Sequence, residues 1–166
     1  MKKVIVIGCP GSGKSTFSKE LAAQTGLPLY HLDMIFWKPD GTTVEKSVFR
    51  AELRDILARD AWIVDGNYAS TMEERMAACD TVFFLDLPTD VCLAGIAARK
   101  GKPRTDLPWV ETSDTENTDF LRFVQEYGEN SRPLVLELLK SSKGKEIIIF
   151  QNREEISAYL HRFFLA

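Results

Sequence analysis

The stretch Val4-Ile5-Val6-Ile7-Gly8-Cys9-Pro10-Gly11-Ser12-Gly13-Lys14-Ser15-Thr16 decides the fold. Within it, Gly8 to Ser15 reads G-C-P-G-S-G-K-S and satisfies the G-x-x-x-x-G-K-[ST] phosphate-binding pattern in full. An apolar run of strand character precedes the motif, and Thr16-Phe17-Ser18-Lys19-Glu20-Leu21-Ala22-Ala23 after it can be helical. That is the strand–loop–helix setting the motif requires. Glycines let backbone N–H groups close around phosphate oxygens without Cβ clashes. A helix starting near Lys14 turns its positive dipole end to the same anion. Lys14 reaches the β- and γ-phosphates, and the Ser15 hydroxyl ligates Mg²⁺. Nucleotide contacts are thus expected from Gly8, Cys9, Pro10, Gly11, Ser12, Gly13, Lys14, Ser15 and Thr16, with Ser15 on the metal.

A chain of 166 residues, 45% hydrophobic, suggests one domain with a real core, here residues 1–166, and room for a mobile insert. The net charge of −3 argues against broad nucleic-acid binding. Three widely spaced cysteines, Cys9, Cys79 and Cys92, show no metal-ligand spacing and suit a reduced, cytoplasmic setting. Cys9 reads as a small residue at a variable motif position, although loop amides can lower a thiol pKa and make it oxidisable. The apolar run after Met1-Lys2-Lys3 is too short for a signal peptide, and no run approaches membrane-spanning length, so no membrane partner is expected. Whether the chain is a monomer or a homodimer stays open.

Strand-like runs recur between helical stretches, which predicts parallel βαβ units. Strands are expected at Lys3–Ile7, Pro28–Leu32, Ala61–Val64, Thr81–Leu85 and Lys145–Phe150. Helices are expected at Lys14–Thr25, closed by an αL Gly26, at Val44–Asp60 with Val48, Leu53, Ile56 and Leu57 on one face, and at Thr71–Ala78. Thr89 or Asp90 should cap a helix reaching Arg99. Asp119–Lys140 should be helical, broken near Gly128 and restarted with Ser131 as cap, and Glu154–Phe164 closes the chain. Asp33–Thr43 reads as a loop. Lys100–Asn117, polar and without periodicity, reads as a lid; with its flanks the lid spans about residues 100–118. These elements make an α/β, doubly wound sheet whose strand ends, carrying the phosphate loop, Asp33, Asp65 and Asp86, share one ligand-binding edge.

Tyr30-His31-Leu32-Asp33 with Phe36-Trp37, Trp62-Ile63-Val64-Asp65-Gly66-Asn67-Tyr68, and Phe84-Leu85-Asp86-Leu87-Pro88 resemble the DNA topology modulation (FlaR-related) proteins, which are adenylate kinase-like P-loop kinases. The likeness runs over nearly the whole chain. It implies a three-layer α/β/α P-loop NTPase fold, nucleoside monophosphate kinase-like, with a five-stranded parallel sheet in the order 2-3-1-4-5, and ATP with Mg²⁺ as cofactors. It also places Asn152 and Arg153, with Gln151, where related kinases hold adenine. Adenylate kinases carry Pro-Arg after the strand-end Asp-Gly; this chain has Asn67-Tyr68-Ala69.

Phosphoryl transfer needs positioning and charge neutralisation more than covalent chemistry. Lys14, Ser15 and Mg²⁺ serve the donor side. Asp65 is the candidate metal-organising acid, and Asp33 the candidate base or orienting group for a hydroxyl acceptor. Arg99-Lys100-Gly101-Lys102-Pro103-Arg104 puts four cations in six residues, and Arg99 and Arg104 are favoured to reach the transferring phosphate. Arg132 resembles the second arginine of kinase lids, with Arg122 a weaker candidate. Tyr30, Phe36, Trp37 and Tyr68 can wall an aromatic acceptor pocket, and Arg50 can meet an acceptor phosphate. His31 and His161 read as structural. Three functions follow: an ATP-dependent phosphotransferase acting on a nucleotide, nucleoside or small hydroxyl metabolite; a slow NTPase acting as a nucleotide-gated regulator; and a DNA-associated topology modulator, which the acidic balance disfavours.

Overall fold

The structure is a computed structural model that describes residues 1–111 and 117–164; residues 112–116 of the expected lid lie outside the described residues. Its frame is a five-stranded, all-parallel sheet in the order β2-β3-β1-β4-β5. The strands are β1 (Lys3–Gly8), β2 (Leu29–His31), β3 (Trp62–Asp65), β4 (Thr81–Leu85) and β5 (Glu146–Phe150). The helices are α1 (Lys14–Thr25), α2 (Leu32–Phe36), α3 (Lys46–Leu57), α4 (Met72–Ala78), α5 (Thr89–Arg99), α6 (Thr118–Asn130), α7 (Arg132–Ser141) and α8 (Arg153–Phe164). The expected strand order and α/β class are therefore found.

The period-two alternation of the strands divides the core between the two faces. Ile5 and Ile7, Trp62 and Val64, Val82 and Phe84 point to one face, where Phe49, Leu53, Ile56, Met72, Met76, Val135 and Leu139 of α3, α4 and α7 cover them. Val4 and Val6, Ile63, Phe83 and Leu85 point to the other, under Phe17 and Leu21 of α1, Cys92 of α5, Val124 of α6 and Leu160 of α8. Full burial of side chains this size contributes about 2 kcal/mol each. The chain changes faces between α6 and α7, over the C-terminal edge of the sheet.

Several local expectations are corrected. Asp33 lies in the first turn of α2, not in a loop. Phe49, not Val48, joins Leu53 and Ile56 on the buried face of α3; Val48 is 52% exposed. A residue at 49 stands one turn from Leu53, whereas 48 points about 100° away. Pro88 precedes α5, and neither Thr89 nor Asp90 caps it. The break between α6 and α7 falls at Ser131, whose side chain makes no capping bond, and Gly128 lies inside α6. Gly26 ends α1 in the left-handed region at φ 71°, as expected.

Candidate active site

The phosphate loop bends back at the end of β1 because three of its glycines take conformations closed to other residues: Gly8 at φ 152°, Gly11 at 84° and Gly13 at 97°. Gly11 also lies against α5, where an added Cβ would stand 2.0 Å from the Cys92 carbonyl oxygen. Lys14 Nζ folds over the loop and donates to the carbonyls of Gly8 at 2.9 Å and Cys9 at 3.3 Å. Burial lowers the Lys14 pKa, while the charges of Asp65 and then Asp33 oppose that shift. The lysine and both acids thus share one electrostatic site, the conjunction expected for a donor cation facing strand-end carboxylates.

Asp65 ends β3, and its Oδ2 lies 2.8 Å from Nδ1 of His31, its register partner on β2. His31 therefore has a partner that its sequence pattern does not announce. Asp33 is half-buried. Burial raises its carboxyl pKa, against the hydrogen bond from Tyr68 and the charge of Lys14. The Tyr68 hydroxyl donates to Asp33 Oδ1 at 2.5 Å. Tyr68 also packs on Phe36 and Phe49, and Phe36 meets Trp37 edge-on. Of the four aromatics expected at an acceptor pocket, Phe36, Trp37 and Tyr68 gather beside Asp33. Tyr30 instead accepts a hydrogen bond from Arg59.

Arg75 was not singled out by the sequence, yet it organises the loop after β3. It is fully buried with no carboxylate partner among the described residues, and donates to the carbonyls of Gly66, Asn67 and Tyr68 and to the Thr71 hydroxyl. Desolvation lowers its pKa to about 10. Its one sequence signal is its place between Met72 and Met76 on the buried stripe of α4. Asn67 Oδ1 accepts from the Gly8 N–H at 3.2 Å, which ties this loop to the start of the phosphate loop.

The expected cations fare differently. Arg99 ends α5, half-buried, with its guanidinium 6.0 Å over the Phe120 ring and its Nε buried without a hydrogen-bond partner. Burial lowers its pKa, and the charge of Arg104 adds to the shift. Arg104 is held by Asp106 and Glu111. Arg132 pairs with Asp86 through two bonds, of 2.7 and 2.8 Å. It lines a cavity of about 360 Å³ at the ends of β4 and β5 with Cys9, Asp86, Thr89, Tyr127 and Gln151, apart from Lys14, Asp33 and Asp65. Arg153 braces the phosphate loop from α8, donating to Gly11 O at 3.3 Å and Ser12 O at 3.5 Å. Asn152 uses its side chain to cap α8, accepting from the Glu155 N–H at 2.9 Å while Nδ2 donates to Glu155 Oε1. Arg50 donates to the Ser70 carbonyl. Pro10 is half-buried and Thr16 exposed. Cys9 is buried, and its contact with Cys92, together with burial, pushes its thiol pKa up, which goes against the oxidisable alternative and leaves it a small packed residue of the loop.

These residues fit ATP and Mg²⁺. The glycine conformations leave a cradle of backbone amides, Ser12 Oγ and Arg99 Nε are buried polar atoms with no hydrogen-bond partner among the described residues, and a hydroxyl and two carboxylates stand at the motif lysine.

No family model matches the chain, and no curated protein matches it. Solved structures do. Shikimate kinase from Acinetobacter baumannii, in complex with shikimate, aligns over 99% of this chain and 94% of its own, with a TM-score of 0.59 and 19% identity. Shikimate kinase from Bacteroides thetaiotaomicron aligns over 96% and 94%, with a TM-score of 0.60 and 18% identity. The chain thus has the P-loop NTPase fold of these kinases: a parallel 2-3-1-4-5 sheet with helices on both faces and the phosphate loop after its central strand.

Proposed function

We propose that the protein is an ATP-dependent phosphotransferase that moves the γ-phosphoryl group to a hydroxyl of a nucleotide, nucleoside or other small metabolite. The observation that carries this reading is the convergence of Lys14, Asp65 and a half-buried Asp33, fixed by the Tyr68 hydroxyl, at the mouth of the phosphate loop. An NTP-binding switch has no need of a second acid held in this way, whereas a hydroxyl acceptor needs a group to take its proton. Ser15 and Asp65 are the residues that would hold Mg²⁺, which supplies charge neutralisation to the phosphates when bound. Lys14, Arg99 and Arg104 are assigned to the phosphates, with Gly8 to Thr16 as the cradle and Arg153 as its brace. Asn152 stays at the adenine side, and Arg132 keeps the part of the second lid arginine, held in reserve on its Asp86 partner at the ends of β4 and β5. In this reading the chain works as one unit, residues 100–111 forming the described part of a lid. The fold shared with a kinase solved with shikimate supports a small hydroxyl-bearing acceptor. The sequence likeness to topology modulation proteins adds no reaction.

The test is ADP formation from Mg²⁺-ATP against a panel of nucleoside monophosphates, nucleosides and small polyols that includes shikimate. One acceptor raising the rate at least about a hundredfold, as one well-placed acid–base group does, establishes the kinase. A uniformly slow rate across the panel replaces it with the slow NTPase.

A further inference from the structure

One carboxylate at the loop has no part in that reaction. Asp106 belongs to no helix or strand, yet it is only 7% exposed, an uncommon burial for an acid. Two residues hold it there. Ser15 donates its hydroxyl hydrogen to Asp106 Oδ2 at 2.7 Å. Arg104 donates from Nε to Oδ1 at 3.1 Å and from Nη2 to Oδ2 at 2.9 Å, while its Nη1 reaches Glu111 at 3.0 Å. The flanking residues dock as well. Thr105 accepts from Lys19 of α1 at 2.5 Å, Leu107 is buried, and the Trp109 ring meets Trp37 edge-on at 5.9 Å. Three donors converge on its two oxygens, two of them from one guanidinium fork, which is the donor set that suits an ionised carboxylate.

The position of this anion matters. It sits at the first turn of α1, where backbone N–H groups and the helix dipole favour negative charge. It engages the hydroxyl assigned to the metal and the lid arginine assigned to the phosphate, both at once. We propose that Asp106 is an autoinhibitory latch: in the nucleotide-free protein its carboxylate occupies the Ser15 corner of the phosphate loop and ties down Arg104, and an incoming polyphosphate must displace it. The proposal rests on reading the loop as a polyphosphate site. Like charges in a partly buried site repel strongly, so phosphate oxygens and Asp106 do not share the corner. Arg104 exchanges one anion for the other. The latch thereby keeps the unloaded site closed with its cation neutralised.

The test is calorimetric titration of the full chain with tripolyphosphate and with ATP in EDTA, and then with Mg²⁺-ATP. Asp106→Asn keeps the shape and removes the charge; it should bind both metal-free ligands about tenfold tighter or more, the worth of one charged hydrogen bond. Glu111→Gln, at a half-exposed position, should tighten them by a smaller factor, and it decides the matter if Asp106→Asn does not fold. Unchanged or weaker metal-free binding in the folded variants overturns the latch. So does a loss confined to Mg²⁺-ATP, which would make Asp106 a metal ligand. None of these titrations reads phosphoryl transfer, so the latch can fail while the acceptor panel succeeds, and the reverse.

Discussion

Tyr68 donates its hydroxyl hydrogen to Asp33 across 35 positions of sequence, and does so from a backbone held at φ 35°. A tyrosine adopts that left-handed conformation only when its surroundings impose it. Here Arg75 grips the Tyr68 carbonyl, while Phe36 and Phe49 pack on the ring. Burial and then the Asp33 charge push the Tyr68 pKa up, so the phenol remains a donor throughout the working pH range.

The acid limb of the turnover profile should follow Asp33. The group acts when deprotonated, so kcat rises with pH through its pKa, which burial places above the ordinary 3.8. The Tyr68 bond opposes that rise, so Tyr68→Phe should move the limb to higher pH. Asp33→Asn should abolish the limb and cut kcat by about 10²–10⁴-fold. Rate against pH for the three proteins decides this, and a limb unmoved in Tyr68→Phe removes Asp33 from the base role.

Lys14→Ala should lower kcat by about 10²–10³-fold, the scale of one lost electrostatic contact at the transition state, and weaken ATP binding with it. Asp65→Asn should lower turnover more than nucleotide affinity. Full Mg²⁺-dependent turnover in Asp65→Asn would refute the metal assignment.

Arg75→Met should destabilise the protein by about 3 kcal/mol, since it strands the half-buried carbonyls of Gly66, Asn67 and Tyr68 without their donor. Urea unfolding measures the loss. A near-wild-type midpoint would show that water or a shifted loop replaces the guanidinium.

The frame of the molecule is legible because its strands alternate and its loop carries a motif whose context is local. What escaped the sequence is of two kinds. Short or phase-sensitive features were missed: α2 has only five residues, too few to show a helical period, and Val48 and Phe49 compete for one face of α3. Long-range pairings were missed too. Ser15 and Asp106 lie 91 positions apart, and His31 meets Asp65 only through the register of two strands. That Asp65 and Asp33 fall on one edge of the sheet was legible because strand ends converge in any doubly wound sheet; the hydrogen bonds that hold them were not.

Gly95→Ala should disturb the phosphate loop from the α5 side. Its Cβ would stand 2.1 Å from the Gly11 carbonyl oxygen, a backbone atom with nowhere to go. A loss of about 2 kcal/mol in stability is expected from such overpacking, with weaker binding of ATP and tripolyphosphate. Thermal unfolding and titration together check it.

Stability should also carry the signature of Asp106. Its folded pKa lies below the ordinary 3.8, so the unfolded chain takes up the proton first. The stabilisation is therefore present above pH 3.8 and lost as the pH falls below it. Asp106→Asn should flatten that part of the profile in chemical unfolding across the acid range. Parallel profiles would show that the carboxylate is not held as described.

The pairing of His31 with Asp65 has a consequence for assembly. β2 is an edge strand of three residues, and the hydrogen bonds of so short a ladder leave its alignment weakly specified. A shift by one position would carry His31 to the opposite side of the sheet and leave Asp65 without its imidazole. The side-chain contact therefore acts as a key for strand alignment, and a substitution made at His31 to probe chemistry also probes whether the sheet closes in the right phase.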